Sequence, residues 1–261
     1  MRTTEQTITE RSLELVAKIG KWIKSELARA NCTKAVLGLS GGADSALVAA
    51  ILQRADIPTT LTTLPCVEGN PELDDSVVDA RLVADWLNLP LELVNIRPIY
   101  EAYKLVLPKA KKPMTDGNLQ SRIRANVLYY QANDADGGAL VVGTTNATEM
   151  FIGYLTKYGD GAVDIEPIAV FYKGEVYDLL RALGAPQRIL EKAPTAGLLP
   201  GQTDEDEIGL TYTVMDRVIK LIHEGWNTLA NPTACASVMA RHQATEHKRH
   251  LPPQFEKSAD I

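Results

Sequence analysis

The sequence predicts an α/β fold with a doubly wound, mostly parallel sheet flanked by helices. Short apolar runs typical of buried strands alternate with longer segments of helical periodicity. Such alternation predicts βαβ units, and these form parallel sheets with helices on both faces. Two of the runs, KAVLGLS (34–40) and GALVVGTTN (138–146), end in turn residues. Ligands of such folds bind beyond the carboxyl ends of the strands, so both stretches are candidate parts of a site.

The individual elements follow from these patterns. Apolar residues at helical spacing from Leu13 to Leu27 predict a first helix, which ends near Asn31. Three strands are then expected at 34–40, 58–66 and 91–97, with helices at 44–55 and about 72–88. The second half adds a strand at 138–146 and helices at 119–133, 176–184 and 205–223. The polar, proline-bearing tail from about 240 is expected to be a surface or closing segment.

Composition narrows the class of protein. The chain has 261 residues, 45% of them hydrophobic, so we expect a single domain over 1–261. A formal net charge of −6 leaves no global basic surface for nucleic acid or anionic lipid. The polar N-terminus and the lack of a long apolar window argue against a secretory signal or a membrane span. Three widely spaced cysteines do not indicate a disulfide framework or a thiolate zinc site, so a cytoplasmic protein is expected.

The stretch LGLSGGADSA (37–46) follows the first predicted strand and opens the next helix. Gly41 and Gly42 permit positive φ and have no side chain, so their backbone amides can approach a ligand closely. The helix N-terminus adds unpaired N–H groups and the positive end of its dipole. The stretch therefore predicts an anion site for phosphate, although a tight glycine turn without a ligand is the simpler alternative.

The residues after the glycines refine this hypothesis. Counting from Gly38, the positions where a Walker-type loop has glycine and lysine hold Ala43 and Asp44. An acid beside phosphate makes electrostatic sense when a divalent cation lies between them, so Asp44 is a candidate magnesium ligand. Ser40 and Ser45 are candidate hydroxyl donors to phosphate oxygens.

LSGGADSA resembles the SGGxDS pyrophosphate loop of the ATP pyrophosphatase superfamily, whose members cleave ATP between its α and β phosphates. Later blocks are similar, in the same order, to the NAD synthetase family over about 34–253: NLQSRIRANVLYYQAN, VVGTTNATE, GYLTKYGDGAVDIEPI, FYKGEV, KAPTAGLLPGQTDEDEIG and EHKRHLPP. The resemblance implies the adenine nucleotide alpha-hydrolase-like fold of ATP pyrophosphatase type.

The resemblance also implies an ATP site and a metal site. Asp44 and Glu149 are the implied Mg²⁺ ligands, and with Lys173 they form the implied catalytic set. The implied ATP-binding residues are Gly38, Leu39, Ser40, Gly41, Gly42, Ala43, Asp44, Ser45, Arg124, Thr144, Lys173 and Thr195. Taken alone, Glu149 is equally an acid favoured by the dipole of a helix start. The roles of Lys173 and Thr195 are inferred almost wholly from the resemblance.

A second set of residues is implied in binding deamido-NAD, the dinucleotide whose nicotinate carboxylate becomes the carboxamide. Its members are Arg122, Lys157, Tyr158, Asp160, Asp164, His247 and Lys248. Asp160 and Asp164 fit equally well as acids that cap a turn in YGDGAVD. His247 and Lys248 fit equally well in a solvated basic tail. The other histidines show no pair at metal-binding spacing.

The implied reaction is a two-step amide synthesis driven by ATP. The substrate carboxylate attacks the α-phosphate to give an adenylate and pyrophosphate, and ammonia then displaces AMP. About 33 residues precede the first strand, too few for the nitrilase-like glutaminase domain of longer family members, so free ammonia is the expected nitrogen donor. Family members of this size imply a homodimer whose dinucleotide site is completed across the interface.

Two alternatives remain open. The first keeps the ATP chemistry but changes the acceptor to a tRNA base or a purine nucleotide. The acidic composition, the lack of paired cysteines for sulfur relay and the missing amidotransferase half disfavour it. The second is a non-enzymatic adenylate sensor, which a fold alone never excludes. Asp44, Glu149 and Lys173 favour an enzyme, because a sensor has less need of a complete metal and triphosphate site.

Overall fold

A computed structural model describes residues 4–195, 197, 203–225 and 232–255. Its centre is a parallel four-stranded sheet in the order β3-β2-β1-β4, formed by β1 (Lys34–Gly38), β2 (Thr59–Thr63), β3 (Glu92–Leu93) and β4 (Ala139–Val141). Val36 of β1 lies opposite Thr60 of β2 on one side and Val141 of β4 on the other. This register makes the carboxyl ends of β1 and β4 neighbours, although the two strands are far apart in the chain.

Eleven α-helices occur in the described part of the chain: α1 (Thr4–Arg29), α2 (Ala43–Arg54), α3 (Asp75–Leu87), α4 (Arg97–Val106), α5 (Pro113–Asn133), α6 (Ala147–Ile152), α7 (Lys173–Leu183), α8 (Gln187–Glu191), α9 (Asp204–Ile208), α10 (Tyr212–His223) and α11 (Pro232–Ala244). Short 3-10 helices cover Pro71–Leu73 and Glu246–Lys248. No helix in these ranges is long and apolar enough to cross a membrane.

Helices cover both faces of the sheet, which confirms the doubly wound prediction. Ala35 and Leu37 of β1 pack into the main apolar cluster with α1, α2, α3 and α7. Val36 points the other way and packs with Ala132 of α5 and Val141 of β4. This two-sided burial explains why β1 reads as a continuous apolar run rather than as an alternating pattern.

A second apolar cluster joins α6, α10 and α11. Ile152, Met215 and Val238 are all nearly inaccessible to solvent within it. Because α6 follows β4 directly, this cluster lies beside the carboxyl end of that strand. Residues after 205 therefore contribute a supporting wall to the ligand-binding edge of the sheet.

Several expected element boundaries are wrong. The run 91–97 forms strand only at Glu92–Leu93, because the Asn95 side chain accepts hydrogen bonds from the amides of Val67 and Arg97 and diverts the chain into α4. The helix expected at 205–223 is two helices. Gly209 (φ 79°) ends the first, and the Thr211 side chain caps the second.

Other terminal signals act as predicted. Asn31 follows α1 with a left-handed φ of 54°, and Gly184 ends α7 with a φ of 73°. The described part of the tail from 240 contains the end of α11 and the 3-10 helix Glu246–Lys248. The helices α4, α6, α8 and α11 lay outside the predicted set.

Candidate active site

The loop between β1 and α2 brings the glycine-serine stretch to the carboxyl edge of the sheet. Gly41 has a φ of 74°, and a Cβ there would lie within 2.8 Å of the Ser76 carbonyl oxygen and the Ala80 amide nitrogen. Gly42 instead has an extended φ of −90° and is the N-cap of α2. Only the first glycine therefore needs positive φ, contrary to the expectation for the pair. Gly42 has no side chain to cap the helix, so the first amides of α2 remain available to an anion.

Two serine hydroxyls hold this loop in shape. The hydroxyl oxygens of Ser40 and Ser45 lie 3.0 Å apart. Ser45 Oγ donates to the Gly42 carbonyl at 3.1 Å, and the Gly42 amide donates to Ser40 Oγ at 3.3 Å. The loop is thus organised by its own side chains.

The predicted catalytic set converges on one ammonium group. Lys173 Nζ donates to Asp44 Oδ2 at 2.5 Å and to Glu149 Oε1 at 3.1 Å. The three residues lie in the first turns of α2, α6 and α7, so three helix N-termini meet here. The Lys173 side chain is only 5% exposed, and the two carboxylates are about as enclosed at 15% and 14%.

Burial and pairing shift the pKa values of this group. Burial raises the pKa of Glu149 to about 7, Asp44 reinforces the shift, and the Lys173 ammonium opposes it. Burial alone would lower the pKa of Lys173, but the charges of Asp44 and Glu149 outweigh burial and raise it above its ordinary value. Lys173 is therefore a permanent cation between two acids.

Asn146 ties the two acids together and was missed in the sequence. Its Nδ2 donates to Asp44 Oδ1 at 2.9 Å, and its Oδ1 accepts from the Glu149 amide at 3.0 Å. Glu149 Oε2 in turn accepts from the Asn146 amide, which completes a capping box at the start of α6. The Asn-x-x-Glu spacing in TTNATE is the signal that was available for this residue.

Asp216 of α10 joins the helices that carry Glu149 and Lys173. Its Oδ1 accepts from Thr148 Oγ1 at 2.5 Å, and its Oδ2 accepts from the Gly174 amide at 2.9 Å. Thr148 Oγ1 also accepts from the Lys173 amide at 3.2 Å. Asp216 was missed too, although a buried acid beside Met215 in an apolar helix stripe demands hydrogen-bonding partners.

Two tyrosines extend the network toward α9. The Tyr212 hydroxyl lies 3.2 Å from Glu149 Oε1 and 3.0 Å from Asp204 Oδ2. The Tyr154 hydroxyl lies 2.8 Å from Glu207 Oε2 and 3.1 Å from Asp204 Oδ1. Burial and these acids raise the pKa values of both phenols far above the ordinary range, so both act as neutral donors.

Asp44 and Glu149 fit a Mg²⁺ ion. The Lys173 ammonium bridges one oxygen of each carboxylate, which shows that the pair can share one cation, and Mg²⁺ would take the place of that ammonium. Among the described residues, no group of three or more His, Cys, Asp and Glu side chains could hold a metal. A two-carboxylate set is nevertheless typical of Mg²⁺, whose other ligands are phosphate oxygens and water.

A cavity of about 490 Å³ opens above the loop and the acids. Most of the expected ATP-binding and catalytic residues line it: Gly38, Leu39, Ser40, Gly42, Ala43, Asp44, Ser45, Arg124, Thr144, Glu149, Lys173 and Thr195. Gly41 is turned toward α3 and is not part of the lining. Arg124 is held in the wall by a 2.8 Å hydrogen bond from its Nε to the Leu64 carbonyl, and burial lowers its pKa.

Only two residues of the expected dinucleotide set line this cavity, Asp160 and Lys248. Asp160 Oδ1 accepts from Ser121 Oγ at 2.7 Å and from the Thr156 amide at 3.0 Å. Lys248 Nζ donates to the carbonyls of Gly153 and Leu155 at 2.8 and 2.7 Å. The C-terminal segment is therefore anchored on the end of α6.

The other five residues of that set lie outside the cavity lining. Asp164 accepts from the Val141 amide at 2.7 Å and from the Tyr129 hydroxyl at 3.1 Å, so it fixes the end of β4. The remaining four are Arg122, Lys157, Tyr158 and His247. Three of these are linked: Arg122 donates to the Lys157 carbonyl at 3.3 Å, and Lys157 Nζ donates to the carbonyl of His247. They form a surface patch beside the cavity, which also includes the exposed Tyr158.

Glu166 packs against the turn that follows β4 and accepts a hydrogen bond from it. Its Oε2 accepts from the Thr145 amide at 3.1 Å, and it packs so closely on Gly143 that a Cβ there would clash. Burial raises the pKa of Glu166 to about 8, and the charges of Glu149 and Asp160 add to the shift.

The parallel sheet, the serine-glycine loop and the paired acids at its mouth define an α/β enzyme of the ATP pyrophosphatase class. A family model described as NAD synthase matches residues 15–252, and the chain belongs to that family. An "NH(3)-dependent NAD(+) synthetase" of Methanosarcina acetivorans is 39% identical over 247 residues, which cover 90% of this chain and 95% of the relative.

Two solved structures agree with this assignment. The structure of an NMN synthetase from Francisella tularensis has a TM-score of 0.84 and 34% identity, covering 94% of this chain and 99% of that one. An NH3-dependent NAD synthetase from Campylobacter jejuni has a TM-score of 0.79 and 28% identity, with the same coverage.

Proposed function

We propose that the chain makes NAD from deamido-NAD, ATP and ammonia, as a ligase that forms a carbon–nitrogen bond. The observation that carries the proposal is the convergence of Asp44, Glu149 and Lys173 at the mouth of the serine-glycine loop, inside one cavity. The size of that cavity, about 490 Å³, is in the range of small-ligand sites.

The first step activates the carboxylate. An oxygen of the nicotinate carboxylate attacks the α-phosphorus of ATP, the bond from that phosphorus to the bridging oxygen breaks, and pyrophosphate leaves with the electron pair. Backbone amides at the start of α2 receive the charge that develops on the departing group. The hydroxyls of Ser40 and Ser45 lie in the loop just before these amides and are proposed to donate to the same phosphate oxygens.

The second step forms the amide. Ammonia attacks the acyl carbon of the adenylate, loses a proton, and expels AMP. No side chain of the enzyme needs to act as a covalent nucleophile, because the substrate carboxylate supplies that oxygen. Asp160 lies on the cavity wall at a fixed position, held by Ser121 and Thr156, and is the acid we assign to the acceptor side.

Asp44 and Glu149 are the residues that would hold Mg²⁺. A bound Mg²⁺ supplies charge neutralisation on the phosphates. Lys173 Nζ contacts both acids and is proposed to donate to a phosphate oxygen as well. Arg124, Thr144 and Thr195 line the same cavity and are proposed to contact ATP.

A second acceptor has its own support. The Francisella tularensis structure that resembles this chain is named an NMN synthetase, so the acid mononucleotide is the alternative acceptor. The two acceptors differ by the adenylate half of the dinucleotide. An assay that compares the two acceptors directly therefore distinguishes them.

The test is an amidation assay with ATP, Mg²⁺ and ammonium that detects NAD formed from deamido-NAD and, separately, NMN formed from the acid mononucleotide. Parallel reactions replace ammonium by glutamine. We expect turnover with deamido-NAD and ammonium and none with glutamine. A higher kcat/KM for the mononucleotide would replace the proposed acceptor, and no turnover with either would contradict the proposal.

We further propose a homodimer. No residue of α4 is buried. The helix and the residue after it expose five large apolar side chains: Ile99, Tyr103, Leu105, Val106 and Leu107. An apolar face of this kind is what a second copy of the chain would cover. Sedimentation velocity of the protein and of a Leu105→Glu, Val106→Glu variant tests this: the variant is expected to sediment as a monomer.

We also propose a cytoplasmic location. The support is chemical, because Cys32, Cys66 and Cys235 are free thiols, as expected in a reducing compartment. Fractionation of cells that express the chain with a small tag checks this assignment.

A further inference from the structure

The departing pyrophosphate needs positive charge that the loop does not contain. Asp44 stands where a Walker-type loop has lysine, and Lys173 is already shared between two carboxylates. The amides of α2 supply only partial charges. A further cation near the loop would stabilise the charge that develops as pyrophosphate separates.

The described cavity lining offers four other basic side chains. Three of them are anchored away from the loop. Arg124 Nε binds the Leu64 carbonyl, Arg241 donates to the carbonyls that end α9, and Lys248 binds the carbonyls that follow α6. The fourth is Lys192, whose Nζ lies 3.4 Å from the Gly41 carbonyl oxygen.

Lys192 reaches the loop from the end of α8. Its side chain is 25% exposed and forms part of the cavity lining. Nζ donates to Asp79 Oδ2 at 2.7 Å, which leaves further N–H groups of the ammonium for other acceptors. The Gly41 carbonyl, at the long distance given above, is a weak acceptor that a phosphate oxygen can replace.

Asp79 lies next to Gly41 of the loop and holds Lys192 beside it. It lies in α3 with its side chain 3% exposed, and its Cβ is the atom that a Cβ at Gly41 would meet at 2.7 Å. Arg188 Nε binds the other oxygen of Asp79 from the solvent side, where its own side chain is 54% exposed. Two cations thus share Asp79, and Arg188 also lies 3.6 Å from Asp75, so Asp79 is not the exclusive partner of Lys192.

We propose that Lys192 is a further catalytic residue that binds the β- and γ-phosphates of ATP and the released pyrophosphate, with Asp79 as its positioning residue. Lys192 donates hydrogen bonds to the oxygens that gain charge when the bond to the α-phosphorus breaks. This inference rests on the ATP chemistry proposed above, but it does not depend on which acceptor carboxylate is activated.

The test separates phosphate binding from structural pairing. Lys192→Gln keeps a hydrogen-bond donor for Asp79 but removes the charge, and Lys192→Arg keeps both. Arg188→Met is the matched control, because it removes the other cation of Asp79 and does not touch the cavity lining. The readouts are calorimetric binding of inorganic pyrophosphate in Mg²⁺ buffer, KM for ATP, KM for deamido-NAD, and the melting temperature.

Lys192→Gln is expected to weaken pyrophosphate binding and raise KM for ATP by about tenfold to a hundredfold, the usual size of a lost charge-assisted hydrogen bond. KM for deamido-NAD is expected to change by less than about threefold, and Lys192→Arg is expected to restore most of the loss. Arg188→Met is expected to lower the melting temperature while leaving pyrophosphate affinity within about twofold of wild type.

Two outcomes would overturn the inference. One is unchanged pyrophosphate affinity in Lys192→Gln, which would make Lys192 a structural ion-pair partner only. The other is an equal loss in Arg188→Met, which would show that the effect comes from Asp79. Failure of the proposed function is distinct, since wild-type protein that binds pyrophosphate through Lys192 but makes no NAD would refute the reaction and leave this assignment standing.

Discussion

Replacing Asp216 by alanine is expected to destabilise the protein and to misplace the proposed catalytic residues. The substitution removes two hydrogen bonds, from Thr148 Oγ1 and from the Gly174 amide, and leaves both donors buried without that acceptor. Each hydrogen bond to a charged group contributes about 1.5–3 kcal/mol, and release of the buried carboxylate offsets part of the loss. We therefore expect the free energy of unfolding to fall by about 3–5 kcal/mol.

The effect on activity follows from what the two donors position. Thr148 precedes Glu149 and bonds the Lys173 amide, so the relative placement of α6 and α7 depends on Asp216. A displacement of about 1 Å in such a group commonly lowers the rate a hundredfold, so we expect kcat to fall by about tenfold to a hundredfold. KM for deamido-NAD is expected to change much less.

Urea unfolding and steady-state kinetics measure the two effects on one preparation. Thr148→Ser is the matched control, because it keeps the hydroxyl that bonds Asp216 and is expected to stay within about 1 kcal/mol of wild type. A loss of stability below about 1 kcal/mol in Asp216→Ala, or wild-type kcat in the folded variant, would refute this account of Asp216.

Three further predictions concern single side chains. Asp44→Asn should abolish turnover in the NAD-forming assay while circular dichroism shows a native fold, and near-normal rates would remove Asp44 from the metal site. Arg122→Ala should raise KM for deamido-NAD far more than KM for ATP, and equal changes would contradict its placement. Glu166 has a folded pKa of about 8 against an ordinary value of 4.5, so the folded protein holds a proton that the unfolded chain releases between these pH values. Its contribution to the free energy of unfolding therefore falls as pH rises through that window, by up to about 1.4 kcal/mol per pH unit. Urea unfolding at pH 6 and pH 9 should show this slope in wild type and a smaller slope in Glu166→Gln.

The parts of the fold that rest on local pattern were predictable. The apolar run that became β1 is buried on both faces. Asn31 and Gly184 follow the ends of α1 and α7, and their left-handed conformations suit those residue types. The third strand was overestimated, because a side-chain contact between Asn95 and Val67 shortens it. No periodicity in 91–97 carries information about such a contact.

In the candidate site too, some residues could be predicted from local sequence and others could not. The loop and Asp44 were identifiable from residue types alone, because an acid at a phosphate-binding turn is chemically unusual. Glu149 and Lys173 were placed by resemblance. Asp216 and Lys192 were not placed at all, because their roles arise from α10 and α8 packing against elements distant in the chain.

The contact of Lys173 with both acids has a consequence for how the protein exists between turnovers. A pair of enclosed carboxylates normally depends on an external cation, and loss of that cation would set up repulsion at the meeting point of three helices. Here the chain carries its own counter-ion, so chelators are not expected to unfold it. The same arrangement makes the resting acids poor at capturing a free ion, because the ammonium group must first move away. Triphosphate oxygens offer that ammonium a new partner, so nucleotide binding would leave the two carboxylates able to hold Mg²⁺.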